Sequence, residues 1–386
     1  MSEHAPAAAK SSASPKPDDF HPYPFYTPRF WHGMRTAPYW KLLRDGHFKI
    51  QPSRLAMAAI ISGIAPINDV MAAGHRLVHG RRIDNTKLAG PPVFIVGHWR
   101  SGTTLLHELM VLDDQWTFPT SFQCFAPHHF LFTEWQFNMF GSWLLPSKRP
   151  MDNMSAGWRL PQEDEFALLV LGLPSPYRRM AFPGQAPPDM NYLDWTNISP
   201  EEHRTWVNGL RGFLKALTYK TPKPLVLKSP THTGRIAVLA EAFPDAKFIH
   251  ITRDPRNIFP STCRLWKSLD VSQCFQRPNY DHLEEYVLEC HERMYRAFHA
   301  GRSAVAEDQI IDIRYEDLVA DPVAQLGHVY EKLNLGDFVG KLKPQLQDWV
   351  ENQHRSYRTN KHSLPPEQEA VLKERWSEYF ERYGYL

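Results

Sequence analysis

The stretch Val93-Phe94-Ile95-Val96-Gly97-His98-Trp99-Arg100-Ser101-Gly102-Thr103-Thr104 decides the fold of this chain. Its first four residues are a continuous apolar run of the kind that fills a buried parallel strand. Beyond the second glycine, apolar residues recur with helical spacing, at Leu105, Leu106, Leu109 and Met110. The stretch therefore predicts a strand, a tight loop and a helix over 93–112.

The alternation of strand and helix continues downstream. Short apolar runs predict strands over 225–227, 247–251 and 310–313, and residues 235–243 have helical spacing. Strands that alternate with helices indicate a parallel sheet covered by helices on both faces. We therefore expect an α/β fold with a P-loop-like parallel sheet, followed by a helix-rich C-terminal part.

The chain has 386 residues, more than one hydrophobic core usually holds, so we expect one large α/β domain with appended segments. Residues 1–19, rich in Ala, Ser, Pro and Lys, predict a disordered tail. Residues 20–89 predict an N-terminal extension, first aromatic-rich and then helical. The α/β domain is expected over 90–386, and its stretch 113–200, rich in Pro and aromatic residues, is expected to form lids and the walls of a binding site.

Charge content bears on nucleic-acid binding, and the spacing of the cysteines bears on their redox state. The chain has 44 Lys and Arg against 42 Asp and Glu, a formal net charge of +2, which does not favour general nucleic-acid binding. Its four cysteines form no CxxC pair, and we interpret them as reduced; they are Cys124, Cys263, Cys274 and Cys290.

No basic-then-apolar signal sequence is visible at the start. The longest apolar run, 55–67, has about 13 residues and contains Ser62, Gly63 and Pro66, whereas a membrane-spanning helix needs roughly 20. We therefore expect a soluble, cytoplasmic protein, with peripheral membrane contact as an open alternative.

The loop between the first predicted strand and helix has the composition of an anion site. Backbone N–H groups at such a junction form a cradle for phosphate oxygens. The spacing matches the Gly-x4-Gly of a P-loop, but Thr103 stands where a nucleoside triphosphatase has lysine. The loop therefore suits a smaller oxyanion better than a triphosphate, with donors from Arg100, Ser101, Thr103 and Thr104.

A second anion site is predicted at the end of the 247–251 strand. Arg253 opens the sequence Arg-Asp-Pro-Arg, and Ser261 follows eight residues later. The guanidinium can make a bidentate contact with a phosphate, and the serine can add a hydroxyl donor. Two anion sites at two strand ends imply a ligand with two anionic poles.

These paired motifs resemble those of sulfotransferases that use 3′-phosphoadenylyl sulfate (PAPS). Two further segments are most similar to the bacterial branch of that family: 227–232 (Leu-Lys-Ser-Pro-Thr-His) and 243–247 (Phe-Pro-Asp-Ala-Lys). The resemblance covers about 90–386. It implies that Arg100, Ser101, Gly102, Thr103 and Thr104 bind the 5′-phosphosulfate. It also implies that the 3′-phosphate and the rest of the nucleotide are bound by Arg253, Ser261, Tyr315 and a C-terminal loop over 355–362 that includes Arg358 and Lys361.

The resemblance also implies an in-line transfer of a sulfuryl group to a hydroxyl or amine, with Lys228 stabilising the charge on the leaving oxygen and Arg100 assisting. Many family members have a glutamate some 20 residues beyond the glycine of the phosphate loop, but this chain has Pro119-Thr120-Ser121-Phe122-Gln123 there, with no ionisable base. The candidates for the general base are His232 and Glu163 first, then Glu165, His128 and His129.

The acceptor is less constrained by the sequence. An aromatic-rich segment could line an acceptor pocket, touch a membrane or fill the core; it comprises Phe130, Phe132, Trp135, Phe137, Phe140 and Trp143. Together with the aromatic arm near residues 20–40, it favours a hydrophobic acceptor, whether lipid-like, aromatic or glycolipid, over a long charged glycan, and 113–200 is interpreted as the lid and acceptor-binding insertion. No metal-ligand spacing is present, and no metal is expected.

Two alternatives remain at this point. A P-loop kinase or nucleotide hydrolase would need lysine in place of Thr103 and an acidic magnesium ligand at a later strand end. A non-catalytic nucleotide-binding protein would keep the cradle but not need Lys228.

Overall fold

The computed structural model describes residues 23–24, 26–145, 156–352 and 364–386. Its helices and strands, in chain order, are α1 (Thr36–Asp45), α2 (Leu55–Asn85), β1 (Val93–Val96), α3 (Thr103–Met110), α4 (Ser121–Phe125), α5 (Phe130–Phe140), α6 (Asp164–Val170), α7 (Asn191–Asp194), α8 (Pro200–Lys220), β2 (Val226–Lys228), α9 (Ile236–Ala242), β3 (Lys247–Thr252), α10 (Pro255–Gln273), α11 (Leu283–Gly301), β4 (Ile310–Arg314), α12 (Tyr315–Ala320), α13 (Pro322–Leu333), α14 (Lys343–Asn352), α15 (Pro366–Arg375) and α16 (Ser377–Tyr383).

Within the described residues, four parallel strands form one sheet in the order β2-β1-β3-β4. The first strand in sequence is therefore central, and it pairs with β2 on one side and β3 on the other. Parallel strands end at the same edge of a sheet, so the loops after β1, β2 and β3 are neighbours. The predicted α/β fold with a parallel sheet is confirmed, and the predicted strands lie within about one residue of the observed ones.

Both faces of the sheet are buried, as a sheet covered by helices on both sides requires. Side chains alternate along β1, so that Phe94 and Val96 belong to one apolar cluster and Val93 and Ile95 to the other. The first cluster contains residues of α8, α9, α10 and α11, and the second contains residues of α3 and α13. This two-sided burial explains why β1 is apolar at every position.

The N-terminal extension packs into the larger of these two cores. Trp31 is fully buried and its indole N–H donates to the carbonyl of Gln273 at 2.6 Å. The Tyr39 hydroxyl donates to the carbonyl of Ala58 at 2.9 Å, which joins α1 to α2. The described part of the predicted extension thus shares one core with the sheet. The predicted tail, 1–19, lies outside the described residues.

The C-terminal helices close over the sheet edge where β3 ends. Trp376 stacks on His291 of α11, with ring centroids 3.7 Å apart and an interplanar angle of 12°. Arg375 forms ion pairs with Glu285 and Glu292 of the same helix. These contacts fix the last described segment, 364–386, against α11, and the Tyr379 hydroxyl accepts from the backbone N–H of Arg253 in the loop that follows β3.

His107 of α3 is a buried histidine that should make stability depend on pH. Burial, together with the nearby charge of Lys228, lowers its pKa from 6.5 to about 3. Between these values the unfolded chain binds a proton that the folded chain does not, so this contribution to stability is present above pH 6.5 and is lost as the pH falls. We expect the free energy of unfolding to drop by about 2 kcal/mol for this residue between pH 7 and pH 5.

The measurement is chemical denaturation at both pH values for the wild-type protein and His107→Gln. The variant should show a shallower decline, because the amide does not titrate in this range. Equal slopes for the two proteins would contradict a neutral buried histidine at this position.

Candidate active site

The loop between β1 and α3 depends on two glycines. Gly97 has φ +149° and Gly102 has φ +105°, conformations that side chains with a Cβ rarely adopt. A Cβ on Gly102 would lie 2.3 Å from Cδ2 of Tyr315, and one on Gly97 would lie 2.5 Å from the carbonyl oxygen of Ile251. The loop backbone is therefore held tightly against the end of β3 and the start of α12.

The hydroxyl groups of this loop differ in exposure. Ser101 is fully buried and its Oγ lies 2.8 Å from the position of a Cβ on Gly97, so this hydroxyl points under the loop. Its Oγ has no hydrogen-bond partner among the described residues. Thr103 is also buried, whereas Thr104, the second residue of α3, is half-buried. Of the three predicted hydroxyl donors, Thr104 is the most accessible to a ligand.

The second predicted anion site directly contacts the first. Arg253, which follows β3, donates from Nη1 to the carbonyl of Arg100 at 3.0 Å. Arg100 in turn donates from Nε to Oγ of Ser261 in α10 at 2.9 Å. The Arg253 guanidinium lies 4.2 Å from the centroid of the Tyr315 ring. The structure thus brings four of the predicted nucleotide-binding residues into one cluster at the edge shared by β1 and β3.

Lys228 is the last residue of β2, and Glu163 immediately precedes α6. Nζ of Lys228 lies 2.6 Å from Oε1 of Glu163, and both side chains are largely buried. The hydroxyl of Tyr177 donates to Oε2 of Glu163 and accepts from the indole N–H of Trp99 at 2.7 Å. Trp99 belongs to the phosphate loop, so this chain of hydrogen bonds connects Glu163 with the first anion site.

Burial raises the pKa of Tyr177 well above its ordinary value, and the Glu163 carboxylate raises it further. Tyr177 therefore acts as a neutral donor to Glu163. This hydrogen bond and the ammonium group of Lys228 hold both carboxylate oxygens of Glu163 in fixed directions.

His232 has a different environment from the one that a general base needs. Its side chain is fully buried, and Nε2 lies 2.6 Å from Oδ2 of Asp164. The ring also contacts those of Phe94 and Trp206 edge-on. Because the side chain of His232 is fully buried, this geometry favours Glu163 over His232 as the candidate base, and both residues stay predictions.

The three lower-ranked candidates for the general base each contact other groups of the protein. Glu165 forms an ion pair with Arg235, and both side chains are fully buried. Nε2 of His128 lies 3.3 Å from the carbonyl of Val170, and burial lowers the pKa of this histidine to about 3. His129 contacts Thr133 and Asn68. Arg358 and Lys361 lie outside the described residues.

The sequence matches the model of the Sulfotransferase family over residues 91–339, which is more than half of the chain. The chain belongs to this family. It is 42% identical over 355 residues to the omega-hydroxy-beta-dihydromenaquinone-9 sulfotransferase Stf3 of Mycobacterium bovis and Mycobacterium tuberculosis, covering 92% of this chain and 91% of the relative. The protein is therefore a sulfotransferase, and the kinase and non-catalytic alternatives fall away.

Two solved structures resemble this sulfotransferase in fold. The sulfotransferase STF1 of Mycobacterium tuberculosis matches with a TM-score of 0.61 and 18% identity, over 87% of this chain and 90% of the other. The sulfotransferase STF9 of Mycobacterium avium matches with a TM-score of 0.60 and 16% identity, over 91% and 96%. At these identities the likeness concerns the fold alone.

The residues present fit a bisphosphorylated donor such as PAPS. A glycine cradle and the N-terminus of α3 are suited to one anionic group, and Arg253 with Ser261 to a second. Among the described residues no group of three or more His, Cys, Asp or Glu is arranged to hold a metal ion. The sulfotransferase family itself implies a sulfate donor of this kind.

Sequence reasoning missed a set of three acid–base pairs. The consecutive residues Glu163, Asp164 and Glu165 pair with three basic side chains spaced four and three residues apart, which are Lys228, His232 and Arg235. In the structure Lys228 ends β2, whereas His232 and Arg235 lie in the 3-10 turn Pro230–Arg235 that follows it. Burial raises the pKa of Asp164 and of Glu165, but the charges of His232 and Arg235 outweigh it and hold both pKa values below their ordinary range.

Sequence reasoning also missed the support for Arg253. The Tyr379 hydroxyl of α16 accepts from the backbone N–H of Arg253 at 3.1 Å and lies 3.2 Å from its carbonyl oxygen. Tyr385 contacts Thr252 and Glu316 through its hydroxyl. The last residues of the chain therefore hold the loop of the second anion site in place.

Arg253→Ala should weaken the binding of the product nucleotide 3′,5′-ADP. A charge-assisted contact is worth about 1.5–3 kcal/mol, so we expect a loss of roughly one to two powers of ten in affinity, measured by calorimetric titration. Arg382→Ala is the matched control, because Arg382 forms an exposed ion pair with Glu378 within α16. Unchanged affinity in Arg253→Ala would remove this arginine from the nucleotide site.

Proposed function

We propose that this sulfotransferase takes a sulfuryl group from PAPS and transfers it to the hydroxyl of a lipid acceptor of the hydroxylated menaquinone class. The observation that carries the proposal is the contact of Lys228 with Glu163, joined through Tyr177 and Trp99 to a loop that also contacts Arg253. The acceptor class is supported by the 42% identity with Stf3 along 92% of the chain.

The donor would be bound at both ends. Arg100, Thr104 and the backbone of the β1–α3 loop would bind the 5′-phosphosulfate, while Arg253 and Ser261 would bind the 3′-phosphate. The existing hydrogen bonds between Arg100, Ser261 and Arg253 hold the two sites at a fixed separation. Tyr315, which lies under the Arg253 guanidinium, would restrict the rotation of that side chain.

PAPS supplies the sulfuryl group. In the transfer, the acceptor oxygen forms a bond to sulfur as the bond from sulfur to the bridging phosphate oxygen breaks, and the electron pair of that bond stays on the phosphate. Lys228 would stabilise the charge that grows on this oxygen. Glu163 would accept the proton of the acceptor hydroxyl, and the hydrogen bond from Tyr177 orients its carboxylate.

The insertion 113–200 provides apolar surface suited to a lipid acceptor. In α5, Phe130 is fully buried in the core, as one of the predicted alternatives for this aromatic segment requires. Trp135, Phe140 and Trp143 are exposed by 58%, 65% and 66%. Exposed apolar side chains that lie close together mark binding grooves or interaction surfaces, and these suit an apolar acceptor.

The test is to incubate the purified protein with PAPS and a menaquinone that carries a terminal hydroxyl, dispersed in detergent, and to detect the sulfated lipid by mass spectrometry. The same quinone without the hydroxyl is the matched control and should remain unchanged. We expect 3′,5′-ADP to bind more tightly than ATP with Mg²⁺. Transfer to a small hydrophilic alcohol at equal or greater efficiency would contradict the lipid acceptor.

A further inference from the structure

The exposed face of α2 is apolar along most of its length. Its large exposed side chains are Leu55, Ile60, Ile67, Val70, Leu77 and Val78, with exposed fractions between 53% and 87%. The one charged residue from 55 to 73 is Asp69, whose side chain is a third exposed and forms an ion pair with Arg35. The segment Pro52–Asn85 is long and apolar enough to cross a membrane by length and composition, and only 22% of its most apolar window is buried. Core helices of comparable hydropathy are mostly buried, so this face needs another explanation.

The opposite face of α2 is packed on the protein and is partly polar. Nδ2 of Asn68 donates to the carbonyls of His32 and Met34 at 2.8 Å, and its Oδ1 lies 3.3 Å from Nε2 of His129. His75 is buried beside the ring of Phe132. A helix that crossed the bilayer would expose this polar face to lipid, so the geometry allows α2 to lie along a membrane but not through it.

The apolar surface continues from α2 onto α5. Phe132 contacts the rings of His75 and His79 in α2. Trp135 and Met139 follow Phe132 at helical spacing and are 58% and 63% exposed. Tryptophan is the residue type enriched at the boundary between lipid and water. The exposed stripe of α5 therefore begins where α5 meets α2.

Cationic side chains lie at both ends of the exposed apolar face of α2. Arg44 and Lys49 are exposed before it, and Arg81 and Arg82 are exposed at its C-terminal end. The acidic groups near these two ends are already paired: Asp45 with Lys41 and Arg178, and Asp84 with Arg76. A second copy of this chain packed on α2, parallel or antiparallel, would bring cations against cations. An anionic bilayer surface offers the complementary charge.

We infer that α2 and α5 form a docking surface for an anionic lipid bilayer. Their exposed apolar side chains would lie at the level of the acyl chains, and the flanking cations would lie at the headgroups. The inference goes beyond the proposed function, because docking needs neither donor nor acceptor. If the acceptor is a membrane lipid, which rests on the proposed function, docking would also bring the enzyme to it.

The test is cosedimentation of the full chain with vesicles, without nucleotide or quinone. We expect binding to vesicles of phosphatidylglycerol and phosphatidylcholine and weaker binding to pure phosphatidylcholine. The double variant Ile67→Glu, Val70→Glu should lower the partition coefficient about tenfold or more, since two apolar side chains no longer enter the lipid. Val339→Glu is the matched control, because Val339 is 68% exposed, close to the 71% of Val70, but lies far along the chain in the turn Phe338–Leu342.

A second variant pair tests the charges. Arg81→Glu with Arg82→Glu should abolish the preference for phosphatidylglycerol while leaving the weaker binding to phosphatidylcholine. Thermal unfolding and 3′,5′-ADP affinity, measured on every variant, establish that each one is folded. Absence of vesicle binding, or equal binding by the α2 double variant, would overturn the inference. A third outcome would also overturn it: analytical ultracentrifugation shows that the wild-type chain is a dimer and the α2 double variant is not, while both bind vesicles equally. A second copy of the chain would then cover this face.

A failure of the docking inference can be distinguished from a failure of the proposed function. Transfer to a detergent-dispersed acceptor does not require a bilayer, so a docking failure leaves that activity intact. If the acceptor class is wrong, vesicle binding by the wild-type chain and its loss in the α2 double variant remain.

Discussion

Lys228→Ala should lower the turnover of sulfuryl transfer by about 10²–10³-fold, because removing one preorganised donor to a developing negative charge typically has this effect. Lys228 ends β2, pairs with Glu163 at 2.6 Å, and is 3% exposed, so its ammonium group is held in position before any substrate binds. The affinity for 3′,5′-ADP should change by less than about threefold, since an interaction made mainly in the transition state contributes little to product binding. Single-turnover rates and calorimetric titration measure the two quantities.

Removal of Lys228 also leaves the Glu163 carboxylate without its cation, and loss of one partner of a buried pair destabilises a fold by about 3–5 kcal/mol. Chemical denaturation of each variant therefore accompanies the kinetics, at a temperature where every variant is folded. Lys220→Ala is the matched control, because Lys220 also pairs with a largely buried glutamate, Glu134, but not with Glu163, and it should keep normal turnover. Normal turnover in Lys228→Ala, or a loss of 3′,5′-ADP affinity as large as the loss of rate, would reassign the lysine.

The sheet was predictable from sequence because its signals are local. Four consecutive apolar residues followed by a glycine predict a strand end and a turn without reference to the rest of the chain, and in the structure this glycine has φ +149°. The strands are predicted to be parallel because a helix follows each of them in the sequence. The position of the Arg253 loop beside the Arg100 loop then follows from β1 and β3 being neighbours.

The pairing of Glu163 with Lys228 was not predictable to the same degree, because the two residues are 65 positions apart and meet only through the packing of α6 against the end of β2. His232 ranked beside Glu163 since it follows Lys228 by four residues. In the structure, Pro230–Arg235 is a 3-10 turn that directs His232 into the core, where it meets Asp164. The four-residue spacing from Lys228 therefore did not indicate the buried pairing of His232 with Asp164.

The helical part of the predicted N-terminal extension is α2, which extends from Leu55 to Asn85. Ser62, Gly63 and Pro66 interrupt the apolar run in the sequence, yet α2 continues through all three to Asn85. Pro66 is exposed, and the Ser62 hydroxyl donates to the carbonyl of Ala58 at 2.8 Å. The packed face of α2, held by Asn68 and His75, stabilises the helix despite the proline, a tertiary effect that local propensity does not include.

Glu163→Gln should lower turnover by about 10²–10⁴-fold, the range that a positioned general base contributes. The amide keeps an oxygen that can accept from Lys228 or Tyr177, so the substitution removes the basic group with little change in shape. The affinity for 3′,5′-ADP should be unchanged. Glu165→Gln is the control for loss of a nearby carboxylate, since Glu165 pairs with Arg235 in the core and should affect stability more than rate.

The acidity of the acceptor distinguishes a base from a residue that only positions Lys228. A phenolic acceptor ionises more readily than an aliphatic alcohol, so the loss in Glu163→Gln should be smaller for the phenol if Glu163 accepts the proton. Equal losses for both acceptors, together with a wild-type pH–rate profile, would mean that Glu163 acts through Lys228 alone. In that case the proton would leave by another route, and the assignment of Glu163 as the base would be withdrawn.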